Sequence, residues 1–307
     1  MIRPFRALRS VATALALTLA LPACAQSPTA AAPAVTASDA DPALWVVRDA
    51  DTTIYLFGTI HVLKPGLSWF DEAVKAAFDR SGQVMLEMVE PDTATMQGIV
   101  QAKAMTPAGA PTLTASLPAG PRAKYTKAVT DLGLPAGAFD RFRPWFAAVN
   151  LSLLPLIKAG YDPANGPEGV ITAAAKAAGK PVAGLETAEQ QIGYFDGLSP
   201  KAQTDFLTST VDELPKAGPE MDEMVADWAK GDPAALAALM NDDLKSSPEV
   251  ADVLLYRRNA HWADWIAERM KTPGTVFIAV GAGHLAGNRS VIADLEAKGV
   301  KVERVTY

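Results

Sequence analysis

The sequence predicts an α/β fold: a mixed central sheet flanked by helices, opened by a β-hairpin and carrying a large helical middle section. Three observations predict it. Four apolar runs, Thr53–Phe57 (TIYLF), Gln83–Met88 (QVMLEM), Lys180–Leu185 (KPVAGL) and Thr275–Val280 (TVFIAV), are separated by stretches of helical periodicity, the pattern of layered α/β domains. Leu44–Val47 and Thr53–Thr59 lie on either side of Asp49-Ala50-Asp51-Thr52, a turn-like tetrapeptide, so the two read as a hairpin. From Thr187 to Met270 the pattern is helical, with breaks around Pro215–Pro219, at Gly231-Asp232-Pro233 and at Pro248.

Taken in order, residues 1–25 read as a secretory signal. Arg3, Arg6 and Arg9 precede an apolar run, Val11–Leu21, and small residues follow it. That run is well below the roughly 20 residues a spanning helix needs. Ala23-Cys24-Ala25 fits cleavage before Gln26, the preferred reading. Leu21-Pro22-Ala23-Cys24 also resembles a lipobox, which would leave a lipid on Cys24 as the sole route to membrane association. Either way the expected location is the periplasm or cell envelope. Residues 26–41, rich in Ala, Pro, Ser and Thr, are expected to be a disordered linker. Residues 42–307 are expected to form one domain.

Within that domain Asp71–Arg80 is a helix with Ala73, Val74, Ala77 and Phe78 on one face. Strand Gln83–Met88 ends at Glu90-Pro91-Asp92, and the helical stretch after it is broken by Pro107, Pro111, Pro118, Pro121 and Pro135. Pro144–Ala159 is a strongly apolar helix. The Gly- and Pro-rich loop 160–167 leads into a helix through Ala178, with Glu168 read as its cap. A long helix, Glu249–Met270, precedes strand Thr275–Val280; helix Asn288–Lys298 and strand Val300–Val305 close the chain.

Cys24 is the only cysteine, so the mature domain has no disulfide, no thiolate nucleophile and no cysteine-based zinc site. The net charge of −6 and the dispersed basic residues argue against a nucleic-acid partner. A peptide or a small molecule is the expected substrate.

Two Gly-x-x-His tetrapeptides, Gly58–His61 and Gly281–His284, hold two of the three histidines, and each follows a predicted buried strand. In such sheets ligands gather outside the carboxyl ends of the strands. Glu87 lies inside an otherwise apolar strand, where an unpaired carboxylate is costly, so it needs a cation or a hydrogen-bond network. Glu186 ends strand KPVAGLE; it either serves the site or opens the next helix beside Thr187. Two imidazoles with one or two carboxylates make a first-row metal set of zinc, manganese or cobalt type. Arg258 falls on an apolar face with Leu254, Leu255, Trp262 and Trp265, so it either pairs a buried acid such as Glu87 or Glu186 or faces an oxyanion. His261 reads as a surface residue.

YLFGTIHVL at 55–63, VMLEM at 84–88, GKPVAGLETAEQQ at 179–191, RRNAHW at 257–262 and VGAGHLAG at 280–287 together resemble the TraB/GumN family. That family is similar to the TIKI membrane proteases, which act on Wnt proteins, and more distantly to erythromycin esterases and ChaN-like haem-binding proteins. The resemblance implies His61, Glu87 and His284 as metal and catalytic residues. The family often carries an acid where this chain has Arg257. The expectation is therefore an exported metal-dependent hydrolase, protease- or peptidase-like. His61, Glu87 and His284 would hold a divalent metal, Glu186 or a metal-bound water would be the base, and Arg258 would steady the oxyanion. The rivals are a metal-independent esterase with a histidine base and a non-enzymatic envelope protein. The latter would bind haem or iron or assist polysaccharide or conjugation systems.

Overall fold

A computed structural model describes residues 37–244 and 247–307. The expected export signal, Cys24 and most of the expected linker lie outside the described residues. The strands are β1 (Ser38–Asp39), β2 (Leu44–Arg48), β3 (Thr52–Thr59), β4 (Leu67–Ser68), β5 (Gln83–Met88), β6 (Val182–Glu186), β7 (Gly274–Gly281) and β8 (Glu303–Arg304). β1 and β4 form a small parallel pair, and Ala40 is buried beside it. Residues ahead of 42 thus join the fold: Ser38, Ala40 and Asp41 donate backbone N–H groups to the Gly66, Ser68 and Ala229 carbonyls.

The main sheet runs β6-β5-β7-β3-β2-β8. β6, β5, β7 and β3 are mutually parallel, whereas β2 joins β3 as the expected hairpin and β8 pairs antiparallel with β2. The mixed sheet and the helical middle section agree with the sequence reading. The closing strand is shorter than Val300–Val305. Among the described residues no helix is long and apolar enough to cross a membrane.

Alternation along the central strands explains their continuous apolarity. In β7, Phe277 and Ala279 enter the core beneath the helical middle section, while Val276, Ile278 and Val280 face the opposite core with Trp262, Ala263, Ile266, Val291 and Leu295. A strand covered on both faces has no polar side. β5 follows the same rule: Val84 and Leu86 face the first core and Met85 the second. Period two then sends Glu87 to Met85's face, under the helix that carries Arg258.

That helix is expected as one α-helix from Glu249 to Met270. It runs instead as Pro248–Ala251, a π-helical turn over Asp252–Tyr256, and Arg257–Arg269. Within it the Arg257 N–H reaches back five residues to the Asp252 carbonyl. Single π turns inside α-helices recur at functional sites. Here the turn sits directly before Arg258.

Candidate functional site

Because β3, β5, β6 and β7 are parallel, their carboxyl ends share one edge of the sheet, and each delivers a polar side chain there. β3 ends at Thr59 and leads through a bend to His61. β7 exits through a 3-10 turn, Ala282–His284. Glu87 is the penultimate residue of β5, and Glu186 is the last of β6.

These groups meet. A Cβ placed on Gly281 would lie 3.1 Å from Glu87 Oε1, 3.3 Å from His61 Nε2 and 3.6 Å from His284 Cδ2. The missing side chain of Gly281 is thus the gap on which three of the expected residues converge. Gly281 also donates its N–H to Glu87 Oε1 at 2.7 Å.

Arg258 fills the deep half of the site. Nε donates to Glu186 Oε1 at 2.8 Å, and Nη2 donates to Glu87 Oε2 at 2.7 Å and to Glu186 Oε2 at 2.8 Å. Nη1 donates to the Leu254 carbonyl at 3.1 Å and to His284 Nε2 at 3.2 Å. All five guanidinium N–H groups therefore have intramolecular acceptors. Glu186 Oε1 also accepts from Trp262 Nε1, and Glu87 Oε2 from Gln191 Nε2, both at 3.1 Å. Thr187 meanwhile caps the helix after β6, its side chain and that of Gln190 forming a capping box.

The outer half holds one residue that sequence reasoning assigned elsewhere. Glu168 Oε1 lies 2.7 Å from His61 Nδ1 and accepts from Thr59 Oγ1 at 2.5 Å. Glu168 lies in the first turn of helix Pro167–Ala177, where the sequence reading placed it, and its carboxylate also reaches His61 and Thr59. The signal was in the loop before it. A Cβ on Gly166 would sit 2.4 Å from the His61 carbonyl, so only glycine lets the two segments touch.

Burial opposes a charge on His61, but the Glu168 carboxylate outweighs it through charge and hydrogen bond, lifting the ring to about 9. Burial pushes His284 down to about 3, against the pull of Glu87 and with the help of Arg258. Burial would also raise Glu87; the Arg258 charge foremost, and the Gly281 N–H, hold it far below the usual carboxylate range. Arg258 stays protonated against its burial because Glu87 and Glu186 flank it.

The expected divalent metal can be tested against these donors. His61, Glu87 and His284 converge, yet His284 Nε2 already accepts from Arg258 and both Glu87 oxygens are engaged. Among the described residues no group of three His, Cys, Asp or Glu is arranged to hold a metal ion. The residues as placed do not fit a three-ligand centre; the cation that Glu87 requires is the guanidinium. Of the two histidines' four ring nitrogens, His61 Nε2 is the one with no hydrogen bond among the described residues. His261 is exposed, as expected.

A profile of the TraB/PrgY/gumN family matches residues 43–304. "Uncharacterized protein YbaP" of Escherichia coli (strain K12) is 29% identical over 161 residues, 51% of this chain and 58% of the relative. Its namesake from Shigella flexneri gives the same figures. An "Uncharacterized protein" of Treponema pallidum (strain Nichols) is 22% identical over 266 residues, 80% of this chain and 78% of its own length. The match to the YbaP proteins spans somewhat over half of their length. No solved structure matches the chain. The chain belongs to the TraB/PrgY/gumN family.

Proposed function

We propose that this member of the TraB/PrgY/gumN family is a hydrolase of esters or peptides whose general base is Nε2 of the neutral His61 ring, oriented by Glu168. One observation carries the reading. Nε2 of His61 is the uncommitted nitrogen at the strand edge, and it faces the gap over Gly281, whereas Arg258, Glu186 and His284 are occupied with one another. A carboxylate behind Nδ1 fixes the tautomer and steadies the imidazolium that forms, the logic of any carboxylate–histidine pair.

In the reading, a water in the gap gives a proton to Nε2 as its oxygen bonds to the substrate carbonyl carbon. The tetrahedral adduct then expels the alkoxide or amine, and the proton on Nε2 passes to that leaving group. Glu87, fixed by Gly281 and Arg258, lines the opposite wall of the gap. Arg258 and Glu186 are proposed to set that wall rather than to touch the substrate. Export to the cell envelope, with a lipid on Cys24 or without one, belongs to the same proposal and rests on the N-terminal sequence alone.

Assays of the purified protein against chromogenic esters and peptide libraries test it. Hydrolysis should fall by about 10²-fold or more in His61→Gln, and in Gly281→Ala, whose new methyl would occupy the gap. Activity left near the wild-type level by both changes sinks the reading. A metal-dependent form of the same reaction has one supporting feature: Nδ1 of His61 and of His284 is held by Glu168 and Asn259, as outer partners hold metal-bound histidines. Loss of activity on chelation and recovery with zinc, manganese or cobalt would favour that second reading, and haem uptake without hydrolysis would favour a binding protein.

A further inference from the structure

We propose that Asn259 is a positioning residue: it locks His284 as the Nδ1–H tautomer and, through that ring, holds Arg258 against Glu87 and Glu186. Donor and acceptor chemistry leaves the chain of bonds no choice. A guanidinium has no acceptor, so at 3.2 Å from Arg258 Nη1 the Nε2 of His284 must accept. The one proton of the neutral ring is then on Nδ1, which lies 2.6 Å from Asn259 Oδ1. The amide cannot be reversed, because its Nδ2 donates to the Arg289 carbonyl at 2.6 Å and a carbonyl only accepts. A backbone carbonyl thus dictates the amide, the amide the tautomer, and the tautomer the direction of one arm of the guanidinium.

The surroundings keep this relay rigid. Asn259 is wholly buried, at 0% exposure. Trp262 covers the His284 ring at a centroid distance of 4.4 Å, and the Arg258 guanidinium lies 4.8 Å above the same indole. Arg258 Nη2 passes the constraint on to Glu87 Oε2, and Glu87 Oε1 is the atom that faces the gap over Gly281. Asn259 touches nothing in the gap itself; it acts through two other side chains.

The test uses full-length protein labelled with ¹⁵N-histidine, whose three histidines make long-range ¹H–¹⁵N spectra assignable with His61→Gln and His261→Gln. Wild-type His284 should show a protonated Nδ1 and a bare Nε2 at neutral pH. Asn259→Leu should lose that pattern and, where the hydrolase reading holds, lower kcat by about tenfold or more with little change in KM, as loss of an outer histidine partner does. Asn259→Asp keeps an acceptor on Nδ1 and should restore the tautomer. A wild-type His284 protonated on Nε2, or an Asn259→Leu protein that folds with the Nδ1–H pattern intact, overturns the proposal. The tautomer part rests on no activity, so failure to find hydrolysis would remove the proposed function and leave this inference standing.

Discussion

The two Gly-x-x-His tetrapeptides look interchangeable in the sequence and are opposites in the structure. They leave neighbouring parallel strands, but the register pairs Thr59, not Gly58, with Gly281. One exits through a bend and the other through a 3-10 turn. The His61 side chain is 12% exposed with a carboxylate on Nδ1; the His284 side chain is 6% exposed with an amide there. The first ring is lifted to about 9 and the second pushed to about 3. A shared motif fixes where a ring is delivered; the partner at Nδ1 fixes what the ring does.

The most damaging way to break this comparison is through Arg258, which touches only the second histidine. Arg258→Ala would strand Glu87 and Glu186 in the interior and should cost about 3–5 kcal/mol of stability, read from denaturant midpoints. Arg258→Lys keeps a charge but loses the fork, and should fall between the variant and wild type. A fully stable alanine variant would show that the two carboxylates have another counter-charge.

Next comes the first ring. His61→Gln should lower kcat/KM by about 10²–10⁴-fold with a nearly unchanged melt, the usual worth of a positioned base. Because the free ring is lifted to about 9, kcat/KM of wild type should climb with pH, by about tenfold per unit below that value. A flat or falling profile between pH 6 and 8 would contradict a His61 base.

Glu168→Gln sharpens the comparison by giving the first histidine an amide like the second. The His61 pKa should fall from about 9 towards its ordinary 6.5, followed by NMR titration. Stability follows the same linkage. A pKa raised by folding stabilises fully below about 6.5, and that contribution fades as pH rises through about 9. The alkaline loss, about 3 kcal/mol or less, should be absent from Glu168→Gln melts. A wild-type stability that does not decline over that range would mean His61 and Glu168 are not coupled.

The smallest effect marks the boundary of the site. His261 is exposed and outside the network, so His261→Ala should change stability by no more than about 0.5 kcal/mol and leave hydrolysis as it was.

Much of the fold was legible because it is local. The hairpin, the helix from Pro144 and the strands around Glu87 and Gly281 are written in short patterns. Strand order was not legible: β7, late in the chain, inserts between β5 and β3, and no local pattern records a long-range pairing. The site shows the same division. An acid inside the otherwise apolar run of β5 and the apolar face around Arg258 pointed to a buried carboxylate needing a cation. The sequence could not say that Arg258 takes Glu87 and Glu186 together, because those pairs join residues 171 and 72 positions apart. Glu168 was missed since an acid in a first helical turn has an adequate local explanation, and its contact with His61 crosses 107 residues.

The π turn at Asp252–Tyr256 also constrains the length of this helix. Such a turn is equivalent to one residue inserted into a regular helix. Upstream of it Val250 and Ala251 are seated in the core; downstream Arg258 is seated between two carboxylates. A chain one residue shorter between Ser247 and Arg257 would close into plain α-helix, turning one half by about 100° against the other. It would have to unseat either Val250 or Arg258. A deletion within this helix is therefore opposed by two anchors at once.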